Sequence, residues 1–497
     1  MMNQKPFILK FRTRDNYYIY DVHTNRILLV NRAMYDIVDI CRTKTKDEVF
    51  AELERIHPLP DLEFAYGRIN ELIARHDLFA PNILKTRVPL VSEDEVVKLL
   101  SQGIMQLCLE VTEACNMRCK YCAYSGGYPY NRRHGSRYMD FGTAKAAIDY
   151  FLPRASSEEG VAIGFYGGEP LLNFKLIREC VEYIKSLELG KTLRFSLTTN
   201  LTLLTEEILD YFTEEGFNLT VSLDGPQTEH DRNRIFKNGE GSFAKVMENL
   251  QRIYARDHDY YLKHISFNAV YDPTTDLLAV NRFFTQDFPL FNNGHPRVTV
   301  GGVTDGNPTF LESREPNKDR DKHWKVLRNR FLQTRIGAVD YNLSVIEEFI
   351  ARSLNLVLLH KRCIRRLREY DNLSSTCIMG QRRLFVTVDG KFHTCERINN
   401  RLPIGDVHSG FDIPRITKFM NEYAELMNRE DCLNCWATRF CGHCYATVAG
   451  DRGFLESEKQ KRCKYIKNRF LSALILYCSV LEKNQHAFDY MDDIVMA

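Results

Sequence analysis

Cys115, Cys119 and Cys122 fall within eight residues in a CxxxCxxC spacing, directly after a predicted strand. Three thiolates this close can face one soft metal centre. A zinc site ordinarily takes a fourth protein ligand. Three cysteines on a cubane iron–sulfur cluster instead leave one iron open to bind another molecule. A second constellation lies near the C-terminus: Cys377, Cys395, then Cys432-x2-Cys435-x5-Cys441-x2-Cys444, and finally Cys463. Two metal centres would share these seven residues. A pair of zinc ribbons and a pair of iron–sulfur sites both fit the spacing alone.

The chain that positions them has 497 residues, 15 cysteines, 44% hydrophobic and 27% charged residues, and a net charge of +2. The length exceeds one ordinary domain. The cysteines are too sparse for a disulfide scaffold and read as metal ligands or redox groups in a reducing cytoplasm. The near-neutral charge gives no reason to expect nucleic-acid or membrane-surface binding. The longest apolar run, 470–481, is shorter than the roughly 20 residues a spanning helix needs, so a buried C-terminal helix is expected. No signal peptide is legible at the N-terminus, and a cytoplasmic protein is expected.

Over 106–303, strand-like runs (106–112, 161–166, 193–198, 218–223, 264–270, 297–300) alternate with amphipathic helical stretches (142–152, 174–187, 205–215, 242–255, 275–285). Such alternation predicts a parallel α/β sheet with helices outside, here an open or partly closed barrel of six strands. Thr205 is the expected cap of one helix. The first strand ends in the cysteine loop. The second ends in Tyr166-Gly167-Gly168-Glu169-Pro170, the third in Thr198-Thr199-Asn200, and the fourth in Ser222-Leu223-Asp224-Gly225. All four sit at the strand ends where parallel α/β barrels build active sites.

These motifs resemble those of the radical S-adenosylmethionine (SAM) superfamily over 106–303. The resemblance implies a partial (β/α)6 barrel. Cys115, Cys119 and Cys122 would hold a [4Fe–4S] cluster whose open iron binds SAM. Tyr121 would lie beside the adenine, Gly167, Gly168 and Glu169 at the SAM amino group, and Ser222 and Arg234 at its carboxylate and ribose. Asn200 is a weaker correspondence. A surface salt bridge is the plainer account of Arg234, and a buried hydroxyl that of Ser222. The chemistry implied is reductive cleavage of SAM and abstraction of an unactivated hydrogen.

The C-terminal cysteines resemble the SPASM extension of peptide-modifying radical SAM enzymes over 363–470, with Cys441-x2-Cys444 one residue tighter than the common spacing. That pattern implies two auxiliary [4Fe–4S] clusters, three in all. Cys377, Cys395 and Cys444 would serve one; Cys432, Cys435, Cys441 and Cys463 would serve the other. Cys363 either completes the first or is a core cysteine, leaving an iron open. Glu396 stands where sulfatase-maturing relatives carry an acidic candidate base, and a surface carboxylate is the plainer reading. Cys41, Cys108, Cys180 and Cys478 read as small core residues.

Residues 1–95 resemble the winged-helix-like peptide-recognition domain fused to maturases of ribosomally made peptides. Such a domain would take a leader peptide as an edge strand, with 17–20 and 27–30 among its strands; a structural cap over the barrel is the alternative. The expected domains are 1–95, the barrel at 96–305, a helical bridge at 306–375, and the SPASM domain with its C-terminal helix at 376–497. The basic run 361–368 reads as a solvated helix face or as a seat for an acidic peptide. The expected function is a radical SAM peptide maturase installing a cross-link, a thioether first, on a precursor peptide with a leader, supplied with electrons by a flavodoxin or ferredoxin. The alternatives are sulfatase-maturase-like oxidation of a protein Cys or Ser to formylglycine, and a non-catalytic zinc-bearing binding protein.

Overall fold

The computed structural model describes residues 5–492 except 102, 157–159, 288, 293–296, 304–307, 313, 340–344, 346–349, 351–355 and 374–375. Much of the expected bridge, 340–355, therefore lies outside the described residues.

The six expected barrel strands form: β4 (Leu107–Thr112), β5 (Val161–Gly167), β6 (Leu193–Thr199), β7 (Asn218–Ser222), β8 (Ile265–Tyr271) and β9 (Arg297–Gly302). They pair in parallel in chain order. Register explains their two faces. Leu109, Phe165, Leu197, Leu219 and Phe267 point one way and are buried under the helices. Their neighbours Tyr166, Ser196, Thr198, Thr220, Ser222, Ser266 and Asn268 alternate to the other face and stay half-exposed. The period of two thus gives an oily outside and an inner face of small polar side chains. Thr205 caps its helix as expected, its hydroxyl accepting from Ile208 N at 3.2 Å.

The hairpin turning at Asp389-Gly390 also forms, as β10 (Leu384–Val386) and β11 (Lys391–His393). Its position was not legible in sequence. β10 pairs in parallel with β4, so the hairpin, followed by β12 (Gly405–Asp406) and β13 (Gly410–Phe411), extends the barrel sheet to ten strands. β4 is buried along its whole length and would otherwise present an open hydrogen-bonding edge.

The N-terminal module is a three-stranded antiparallel sheet, β1 (Ile8–Arg12), β2 (Tyr17–Asp21) and β3 (Arg26–Val30), with helices Arg32–Ile37, Lys46–Leu53 and Leu59–His76 on one face. Ile19 joins the module's own core. Tyr18 and Tyr20, one residue to either side, face the opposite way into the main core. Tyr20 packs on Phe440, ring centroids 5.3 Å apart, and Tyr18 Oη donates to Glu482 at 2.8 Å.

Residues 81–89 are bound along their length: Asn82 donates to Leu433 O, and Asn428 Oδ1 accepts from the backbone of Arg87 and Val88. One expectation changes. The basic run 361–368 is not helical, the preceding helix ending at His360. Leu367 N donates to His23 O, and Arg365 pairs with buried Asp371 at 2.7 Å, which holds the chain extended against the module. The apolar run 470–481 lies in the long helix Glu456–Leu481, with Phe470, Ala473, Leu474, Tyr477 and Cys478 buried. No described helix is long and apolar enough to cross a membrane. Cys41, Cys108, Cys180 and Cys478 are buried as expected.

Candidate functional site

The loop after β4 brings Cys115, Cys119 and Cys122 within electrostatic reach of one another. It is pinned to the segment after β7: Arg118 N donates to Ile235 O at 2.8 Å and Lys120 N to Asn233 O at 3.0 Å. Backbone N–H groups of Met117 and Tyr124 point at the sulfurs of Cys115 and Cys122, each at 3.4 Å. Burial pushes the Cys115 and Cys119 thiols up to about 12. Thiolates in such a place need a positive centre to stabilise them.

Gly167 and Gly168 are required by the backbone of the neighbouring strand. A Cβ on Gly168 would sit 2.1 Å from Ala114 O, and one on Gly167, where φ is +142°, 2.2 Å from Thr112 O. Glu169 is buried. Its carboxylate accepts from Leu171 N (3.1 Å), Thr199 Oγ1 (2.7 Å) and Asn200 N (2.7 Å), which ties β5 to the end of β6. Burial outweighs these bonds and raises the Glu169 carboxyl to about 7. The Asn200 side chain donates to Asn116 Oδ1 at 2.9 Å, joining the cysteine loop to the third strand end. Ser222 is half-exposed on the polar face, and its hydroxyl makes no hydrogen bond among the described residues.

Arg234 is buried, not a surface ion pair: its Nε lies 3.0 Å from Asp224 Oδ1, and its guanidinium is 5.4 Å from the centre of the Tyr121 ring. The Tyr121 hydroxyl donates to Asp224 Oδ2. Asp224 also accepts from Val270 N at 2.9 Å. It is the hub of this side of the site, and only its membership of the Ser-x-Asp-Gly strand end signalled it.

A buried charged chain, not anticipated, joins the barrel to the C-terminal region. Glu110 on β4 accepts from the Tyr124 hydroxyl and from Val388 N (3.2 Å), with Arg132 Nε at 3.7 Å. Arg132 donates to the backbone of Glu396, whose carboxylate pairs with Arg383. Arg383 Nε reaches Gln106 Oε1 at 2.9 Å, just before β4. Glu396, expected at the surface, has a side chain only 15% exposed. Burial pushes its carboxyl up, but the Arg383 charge and hydrogen bond prevail and hold it below the usual range.

Cys444 lies within electrostatic reach of both Cys377 and Cys395. Cys441 likewise couples to Cys435 and Cys463, and Cys463 to Cys432. Cys363 stands apart: it is exposed, its carbonyl accepts from Asn25 Nδ2 at 2.8 Å, and nothing links its thiol to another cysteine among the described residues. No three described His, Cys, Asp or Glu side chains converge as one metal ion would require. A four-iron cubane spreads its thiolates more widely than a single ion does. All-sulfur donor sets with N–H groups aimed at the sulfurs fit that cluster.

Residues 109–272 match the model of the Radical SAM superfamily. The match runs from within β4 to the end of β8, over the cysteine loop and the strand-end motifs that follow it. It supports an enzyme over a non-catalytic binding protein. An uncharacterised protein of Methanocaldococcus jannaschii is 33% identical over 186 residues, 37% of this chain and 57% of its own length. The cysteine-type anaerobic sulfatase-maturating enzyme of Clostridium novyi is 30% identical over 247 residues, 48% of this chain and 64% of its own. The chain thus spans about three fifths of the length of these two relatives. Among solved structures, native anSMEcpe with bound AdoMet superposes with a TM-score of 0.53 at 19% identity, covering 78% of this chain and 100% of that one. The same protein with AdoMet and the Cp18Cys peptide gives 0.52, covering 79% and 99%.

Proposed function

We propose that this enzyme oxidises one residue of a peptide or protein substrate held against the polar inner face of its barrel. When bound, SAM and a reduced four-iron cluster supply abstraction of an unactivated hydrogen atom. Cys115, Cys119 and Cys122 would hold that cluster. Tyr121, Gly167, Gly168, Glu169, Asn200, Ser222 and Arg234 would shape the SAM site around it. The half-exposed row of Ser196, Thr198, Thr220, Ser266 and Asn268 offers a substrate chain hydrogen bonds without fixed charge. Cys377, Cys395 and Cys444, and Cys432, Cys435, Cys441 and Cys463, would hold two further clusters. The separation of Cys363 favours leaving it out of both sets.

For the reaction itself, formylglycine-type oxidation of a Cys or Ser is favoured over the expected thioether cross-link. The observation carrying it is Glu396: a buried carboxylate beside Cys395, kept ionised by Arg383 and within electrostatic reach of Tyr166 on β5. After hydrogen abstraction from a Cys or Ser side chain, a carboxylate so placed can accept the proton while one of the two further clusters would accept the remaining electron, completing the two-electron oxidation. The similarity to sulfatase-maturating enzymes supports the same reading.

A second reading keeps a leader-bearing precursor peptide as substrate and rests on the N-terminal module. β3 is an edge strand with no outer partner among the described residues, and Leu29 on it is 62% exposed. A flat apolar edge of this kind accepts an added strand.

Anaerobic purification with iron and sulfide analysis, then SAM plus reductant with 5′-deoxyadenosine read by chromatography, tests the chemistry. Three four-iron clusters predict about twelve irons per chain. Deoxyadenosine release should vanish in a Cys115/Cys119/Cys122→Ala variant. Zinc in place of iron, or no deoxyadenosine, would overturn the proposal. Glu396→Gln should cut oxidation of a Cys-containing sulfatase peptide while deoxyadenosine release persists. Leu29→Glu should leave that peptide's turnover unchanged, and would lower turnover of a leader-bearing precursor if the second reading holds.

A further inference from the structure

The C-terminal tetracysteine site, Cys432, Cys435, Cys441 and Cys463, is ringed by more positive charge than its own carboxylates balance. Lys459 stands one helical turn before Cys463 on the helix Glu456–Leu481 and is fully buried. Its ammonium lies 3.0 and 3.1 Å from the two carboxylate oxygens of Asp431 and 3.4 Å from Cys432 Sγ. Arg87 enters from the stretch that follows the N-terminal module and is 2% exposed. It donates to Thr438 O at 3.2 Å and lies within electrostatic reach of Cys441 and Cys432. Its Nε is buried and finds no acceptor among the described residues.

Of the two buried cations only Lys459 has a carboxylate partner, and that partner is itself half in solvent, Asp431 being 49% exposed. An unmatched buried charge is strongly destabilising, and a guanidinium cannot shed its proton to escape it. The arrangement persists when the space between them holds a negative group. Four thiolates on a [4Fe–4S] core of charge 2+ carry two net negative charges, and the inorganic sulfides are acceptors for an N–H such as Arg87 Nε. The other C-terminal site is unlike this. Beside it Glu396 pairs with Arg383, and the remaining cation, Arg382, is exposed to solvent.

We propose that Lys459 and Arg87 are positioning residues that raise the reduction potential of the tetracysteine centre above that of the Cys377/Cys395/Cys444 centre. One-electron reduction would add a negative charge to the cluster, and cations held beside its thiolates favour that state. Such outer contacts are among the principal means by which a protein tunes a metal centre. The inference rests on the iron–sulfur reading above and assigns it an energetic asymmetry.

The test is an EPR-monitored potentiometric titration of the full-length, anaerobically purified protein. It compares wild type with Lys459→Met, Lys459→Arg, Arg87→Gln and Arg87→Lys, each with iron and sulfide analysis. With iron retained, one transition should move to more negative potential in Lys459→Met and Arg87→Gln. Its reduced fraction at a fixed potential on the wild-type midpoint should fall several-fold, up to about tenfold. The remaining transitions should stay in place, and Lys459→Arg and Arg87→Lys should restore the wild-type value. Full iron with no transition moved would overturn the inference. Iron lost from Lys459→Met but regained in Lys459→Arg supports it, because charge rather than shape holds the centre. Iron lost from both would overturn it in favour of a packing role. Zinc in the wild-type protein would instead bring down the iron–sulfur reading itself, and this inference with it.

Discussion

The barrel loop and the tetracysteine site both set buried cations beside cysteines, but they balance them differently. At the barrel, Arg234 near Cys119 is matched by Asp224, which is itself buried and also accepts from Tyr121. Its charges are complete before anything binds. At the tetracysteine site, Lys459 and Arg87 outnumber Asp431. On the proposed function, the first site would admit and release a small molecule and is self-sufficient, while the second would enclose its group permanently and leave part of its neutralisation to it.

The largest expected effect sharpens the first half of that contrast. Asp224→Asn leaves Arg234 buried without its counter-charge and should cost about 3–5 kcal/mol, read as a fall in the denaturation midpoint, with SAM binding lost alongside. An unchanged midpoint would mean the barrel pair is not the self-contained unit described here. Next comes pH. Burial raises the Glu169 carboxyl from 4.5 to about 7, so between those values the folded protein keeps a proton that the unfolded chain has released. The contribution of Glu169 to stability is therefore fully present below pH 4.5. It falls as pH rises toward 7 by up to about 1.4 kcal/mol per pH unit, and is level above. Glu169→Gln should flatten that part of the stability profile; an unchanged slope would locate the titrating group elsewhere. The smallest effect belongs to the second site. Asp431→Asn removes a half-exposed partner, whose contribution solvent screens to about 1 kcal/mol or less. The midpoint should barely move, while the transition assigned to the tetracysteine centre shifts to more positive potential, opposite in sign to Lys459→Met.

The barrel was readable because its strands announce themselves locally. Buried apolar residues such as Leu197 and Leu219 alternate with Ser196, Thr198 and Thr220, and each motif ends a strand. The proximity of Cys115, Cys119 and Cys122 was readable for the same reason, since they lie close in sequence. What was not readable depends on encounters between distant segments. Nothing in 384–386 says that its partner is β4. Nothing in the sequence around Glu396 separates a surface carboxylate from one clasped by Arg383 in the interior. The basic run 361–368 has a helical composition, yet contacts with His23 and Asp371 hold it extended. Arg87 and Lys459 approach Cys432 from widely separated parts of the chain, so no window of sequence contains both.

The docking of the N-terminal sheet sets an order of events in time. Phe11, Tyr18, Tyr20 and Val22 belong to the main core rather than the module's own. Their covers include Phe440 and the end of the long C-terminal helix, where Glu482 receives both Thr13 and Tyr18. Arg439 then fastens the β2–β3 turn by donating to Val22 O at 2.7 Å and His23 O at 2.9 Å. The N-terminal sheet, synthesised before the C-terminal helix, thus waits for it before one of its faces is covered. Long-range closure of this kind is slow and leaves apolar surface open in the interval. A ribosome stalled before residue 440 would display that aromatic face to chaperones, and completion of the C-terminal helix would withdraw it.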